Sequence, residues 1–127
     1  MPRKRTEGLT ERETEILAVL WQLEQASVED IRLRLAGQPA ASTVRSLLSI
    51  MTERGLVAHD DTVYAKKYRP KLDRNQAQDS ALQRLIDRLF AGSTEALLVR
   101  LVDEGAVDDA QLERLQQRLQ QRRQQSQ

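Results

Sequence analysis

The sequence predicts a mainly α protein with a small β-hairpin, an N-terminal winged helix-turn-helix over residues 1–71 followed by a three-helix C-terminal region over residues 72–127. Three observations carry this expectation. Three short amphipathic stretches precede Gly55, none long enough to bury its apolar stripe alone. Two short strand-like runs then follow with a polar turn between them. Beyond Pro70 the helical spacing of leucines returns three times, each after a fresh capping residue.

Each element has its own warrant. Thr10 and Glu13 have the spacing of a capping box and open the first helix, in which Ile16, Leu17, Leu20 and Trp21 form an apolar stripe ending near Leu23. Ser27 is the expected N-cap of a second helix carrying Val28, Ile31 and Leu35. Gly37, Gln38 and Pro39 break it, because proline biases its predecessor away from helix. The third helix runs from Ala41 to Arg54 and closes at Gly55, with Val44, Leu47, Leu48 and Met51 at the spacing of a buried face. Leu56 to Ala58 and Tyr64 to Arg69 read as strands, with Asp60, Asp61 and Thr62 as the turn.

Composition limits the function. Lys and Arg number 20 against 19 Asp and Glu, and the two halves are balanced separately, so any basic footprint must be local. There is no cysteine and one histidine, His59, which alone cannot make a metal site and is expected on the surface or packed against the wing. Neither a Gly-rich phosphate loop nor a paired metal-ligand motif occurs, so catalysis and cofactors are not expected. No apolar run approaches the roughly 20 residues of a membrane span, and a cytoplasmic location without membrane insertion is expected.

The third helix is the informative element. Opposite its apolar stripe stand Ser42, Arg45, Ser46 and Ser49, a surface of short hydroxyls around one guanidinium where an ordinary solvated face carries long Glu and Lys side chains. Such a face can approach double-stranded DNA closely, with hydroxyls suited to phosphates or base edges and Arg45 suited to a bidentate contact with guanine. Lys66 and Lys67 on the returning strand add sequence-independent attraction to phosphate. The rival reading is a winged helix that docks a protein; that requires apolar side chains on the exposed face, where only Ile50 stands. Arg3, Lys4 and Arg5 form a short basic arm that reads as a solubilising tail ahead of an arm that touches DNA.

The stretches LTERETEILAVLWQLEQASVEDI and ASTVRSLLSIMTERGLV, with the YRP of Tyr68 to Pro70, resemble the penicillinase-repressor family of bacterial winged-helix regulators (BlaI/MecI/CopY). The likeness continues weakly to about residue 120. It implies a homodimeric repressor of transcription on an inverted-repeat operator, with Ser42, Thr43, Arg45, Ser46 and Ser49 of the third helix facing the major groove. It also implies inactivation under a membrane-bound sensor metalloprotease system, by cleavage at the position matching Arg100-Leu101, where well-studied relatives have an Asn-Phe pair. Two departures stand out. Ile50 replaces an arginine common among relatives, and Val63 and Tyr64 replace a Gly-Arg pair in the wing. The C-terminal cysteine pairs of copper-sensing relatives are absent.

The last third of the chain fits a dimer. Asp73 with Gln76, Ser93, and Asp108 with Gln111 are the expected starts of three helices. Their apolar faces hold Leu82, Leu85, Ile86, Leu89 and Phe90, then Leu97, Leu98, Leu101 and Val102, then Leu112, Leu115 and Leu119. Such short helices build little core within one chain, so pairing with a second copy is the expected way to bury them, ahead of an intrachain bundle. The Gln/Arg-rich end is expected to fray.

Overall fold

A computed structural model describes residues 8–60 and 66–126, and is mainly helical with one small antiparallel sheet. Helix α1 spans Glu11–Leu23, strand β1 Ala26–Ser27, α2 Val28–Arg34, α3 Ala41–Glu53, β2 Val57–His59 and β3 Lys67–Pro70. Helices α4 (Arg74–Leu89), α5 (Thr94–Asp103) and α6 (Asp109–Gln125) follow. This is the expected winged helix followed by three helices.

Local chemistry sets most boundaries. Thr10 and Glu13 form the expected capping box, Ser27 makes a second with Asp30, and Asp108 with Gln111 a third. At the end of α3, Gly55 takes φ +75°, and the Leu56 amide reaches back to the Met51 carbonyl at 2.9 Å, closing the helix in a left-handed turn. That turn delivers Leu56 and Val57 directly into the core.

The sheet departs from the expected two-stranded hairpin. It has three strands in the order β1-β3-β2, with Ala26 opposite Tyr68, Ser27 opposite Lys67, and His59 also opposite Tyr68. Ser27 serves twice, as the last residue of β1 and as the cap of α2. The wing strands are also shifted: the first is Val57–His59 instead of Leu56 to Ala58, because Leu56 still belongs to the turn. The second begins at Lys67 and extends to Pro70; Tyr64, Ala65 and the turn residues Asp61 and Thr62, with Val63, lie outside the described residues, as do Arg3, Lys4 and Arg5.

The core of this part joins Ile16, Leu17 and Leu20 of α1 to Ile31, Leu35, Val44, Leu48 and Met51, with Leu56, Val57 and Tyr68 from the wing. Trp21 is half-buried at its edge, where the indole N–H donates to the Leu72 carbonyl at 2.9 Å and the Arg74 guanidinium lies 5.7 Å from the ring centroid. Packing divides the chain into two compact units, Met1–Leu82 and Gln83–Gln127. The first thus extends past residue 71, through the buried Leu72 and Ala77.

The second unit is of another kind. Neither α5 nor α6 contains a buried residue. The Gln/Arg-rich end, expected to fray, is helical to Gln125, where Ser126 caps it through its hydroxyl to the Arg122 carbonyl at 3.0 Å. Glutamine and arginine are good helix formers, which is why the segment continues.

Candidate nucleic-acid interface

Helix α3 is seated by Val44, Leu48 and Met51, all fully buried, so the opposite side is turned outward by the same periodicity. At about 100° per residue, Ser42, Ser46 and Ser49 line the centre of that outward face. Arg45 stands on one flank and Thr43 with Ile50 on the other. All six side chains are exposed, so the five candidate contact residues of α3 share one open surface.

The start of α3 is unusual among the helices of this chain. Thr10, Ser27, Ser93 and Asp108 cap α1, α2, α5 and α6 with side-chain oxygens, whereas Ala40 occupies the cap position of α3 and supplies none. No acidic residue lies in its first turn. No side chain among the described residues therefore caps the first-turn amides, and the positive end of the helix dipole is open to water or to an anion.

An ion pair that sequence reasoning missed fixes the other end of α3. The Arg54 Nη1 group donates to both carboxylate oxygens of Glu13, at 2.8 and 2.7 Å, and both side chains are largely withdrawn from water. Glu13 also accepts from the Thr10 amide at 2.9 Å. Burial raises the Glu13 pKa, but the Thr10 amide and the Arg54 guanidinium outweigh it and hold the carboxyl below its ordinary value. One glutamate thus closes the first turn of α1 and clamps the end of α3. The capping-box spacing accounts for Glu13 so fully that nothing local signals its second role.

Lys66 and Lys67 are both exposed at the base of the wing. Lys67 lies opposite Ser27, and its charge, with that of Arg34, assists the Ser27 hydrogen bonds in lowering the Asp30 pKa. Its backbone is engaged with Asp60, whose amide donates to the Lys67 carbonyl and whose carboxylate accepts the Lys67 amide, both at 3.4 Å. His59 packs its ring against Tyr68, centroids 5.3 Å apart. Arg69, exposed next to the buried Tyr68, stands two residues from Lys67 and so on the same face of the central strand β3.

Along the C-terminal helices, Leu82, Leu85 and Leu89 of α4 are exposed, Leu89 to 74%, while Ile86 of the same set is already buried. In α5, Leu97 is half-buried and Leu98 and Leu101 are exposed; in α6, Leu112, Leu115 and Leu119 are all exposed. The Arg100-Leu101 bond lies inside α5, where Arg100 pairs with Glu104 at 3.7 Å.

Among the described residues no helix is long and apolar enough to cross a membrane. None of the curated proteins compared with the chain matches it. Against protein families, residues 9–121 match the penicillinase repressor, a span that takes in the winged helix and most of the C-terminal helices. The chain therefore belongs to the penicillinase repressor family (BlaI/MecI/CopY), whose members are DNA-binding transcriptional repressors and not enzymes.

Proposed function

We propose that this chain is a homodimeric repressor that occupies a pseudo-palindromic operator, one winged helix to each half-site. The observation that carries this is α3: an outward face on which hydroxyls and one guanidinium precede a single carboxylate, Glu53 in the last turn, on a helix whose N-terminus no side chain caps. A helix of this shape fits the major groove. Arg45 reads guanine; Ser42, Thr43, Ser46 and Ser49 contact phosphates or base edges; Lys66 and Lys67 attract the backbone whatever its sequence.

Dimerisation rests on the leucines of α4, α5 and α6. In a second copy they would find the cover that the chain itself does not provide, each fully buried leucine contributing roughly 1.5 to 3 kcal/mol. On this reading residues 1–71 bind DNA and residues 72–127 pair the subunits. The family resemblance adds release by cleavage at Arg100-Leu101 under a sensor metalloprotease system. Because that bond lies within α5, a protease would first have to open the helix.

The test is selection of bound sequences from a random duplex pool, with the mass of the complex measured by sedimentation. Enrichment of an inverted repeat bound by two chains is the expected result. Absence of any enriched sequence at moderate salt would overturn the reading.

A further inference from the structure

The outward face of α3 is not uniform. Ile50 is 52% exposed on a helix whose other large apolar side chains are buried or half-buried. It does not stand alone, because Thr43, Leu47 and Ile50 follow one another at i, i+4 and i+7 and so form a single ridge along one flank. That ridge presents the methyl group of a threonine, the exposed part of a half-buried leucine and the end of an isoleucine. Arg45 lies on the opposite flank, with the serines between. The two sides of one surface therefore offer different chemistry: a charged planar donor on one and methyl groups on the other.

The major groove has a matching asymmetry. Guanine offers N7 and O6 to a guanidinium, whereas thymine places a C5 methyl group in the groove, its one apolar feature there. Resting on the DNA-binding reading above, we propose that the Thr43-Leu47-Ile50 ridge reads thymine methyl groups, with Ile50 as the principal specificity-determining residue. An arginine or serine at position 50 would favour acceptors at this point of the site. Isoleucine has no hydrogen bond to give, so it discriminates by packing against a methyl group and by leaving the polar edge of a cytosine without a partner.

The test uses the full chain and the duplex enriched in the selection above. Each thymine is replaced in turn by 2′-deoxyuridine, which removes the C5 methyl group and keeps every hydrogen-bonding atom. At one or two positions in each half-site the substitution is expected to weaken binding roughly fourfold, the loss expected for one buried methyl group. Ile50→Ser should bind the thymine and deoxyuridine duplexes equally at those positions and keep the Arg45-dependent preference for guanine. Its helical circular dichroism and unfolding midpoint should match the parent, since the side chain is half out in water. Indifference of the parent protein to every deoxyuridine would overturn the proposal, as would full methyl dependence in Ile50→Ser, or an enriched half-site without thymine. In each of those cases sequence-specific binding itself survives. If no sequence is enriched at all, the DNA-binding reading falls and this one with it.

Discussion

Replacing Arg54 by methionine should destabilise the protein and weaken DNA binding together. The substitution keeps most of the side chain's length but leaves the Glu13 carboxylate, 4% exposed, with the hydrogen bond from the Thr10 amide in place of the ion pair. Removing one partner of a buried ion pair costs about 3–5 kcal/mol, against a total of about 5–15 kcal/mol for a domain. With a urea dependence of about 1–3 kcal/mol per molar, the unfolding midpoint should fall by roughly 2 M. Adding Glu13→Gln removes the stranded charge while keeping an acceptor for the Thr10 amide, so the double variant should be more stable than Arg54→Met alone. The pH dependence has a definite sign. In the parent the Glu13 pKa is depressed, so the pair's contribution is present above the ordinary value near 4.5 and is lost as the pH falls through the folded pKa. Without the guanidinium two of the causes that lower the Glu13 pKa are gone, and the folded pKa rises above that of the parent. The penalty in Arg54→Met is then largest at neutral pH and shrinks as the pH falls through that raised value. Urea unfolding followed by circular dichroism at pH 7 and pH 4 measures both effects. A loss below about 1 kcal/mol, or one that does not shrink at pH 4, would refute the assignment of this pair as the clamp on α3.

Other perturbations separate the remaining roles. Arg45→Ala should cost about 1–3 kcal/mol on the selected operator and little on random DNA, measured by fluorescence anisotropy on both. Lys66→Ala with Lys67→Ala should weaken both alike and reduce the slope of log affinity against log salt by about 0.9 for each phosphate no longer neutralised. Ala40→Asp, at a position whose backbone is already extended, should raise stability by about 1 kcal/mol by capping α3 and lower DNA affinity by setting a carboxylate against phosphate; unchanged affinity would show that no anion sits there. Leu89→Asp and Leu98→Asp should shift sedimentation toward the monomer while leaving the urea midpoint of the first unit in place, and a dimer indifferent to both would place the interface elsewhere.

What could be read from the sequence was what is settled locally. The capping residues Thr10, Ser27, Ser93 and Asp108 announce their helices because the donor and acceptor are three residues apart. The outward face of α3 was legible for the same reason, since a helix fixes the angle between any two of its residues. Strand β1 was not, because two residues carry no periodicity and its register is set by Tyr68 and Lys67, about forty positions away. The Glu13 to Arg54 pair is separated by 41 residues and the Trp21 to Leu72 bond by 51. No local pattern encodes either. The uncapped start of α3 was legible in principle, as an alanine where the other helices place an oxygen, and it becomes informative only once the helix boundary is known.

These long-range ties all fall within Met1–Leu82, and that distribution bears on how such a repressor could be switched. The first unit draws its core from its own residues, and α3 is clamped within it by the Arg54 to Glu13 pair. In α5 and α6 there is no buried residue, and their helices rest on local caps and propensity, which for segments of 10 and 17 residues are marginal in water. On the proposed reading the second copy supplies the missing core. On that reading anything that opens α5, including a cut at Arg100-Leu101, would separate the subunits and leave the core of the first unit intact. Each released winged helix would keep its proposed half-site contacts but lose its tether to the other, so the second binding event would cease to be effectively intramolecular, and affinity for a two-site operator would fall by the effective-concentration factor of about 10²–10⁴.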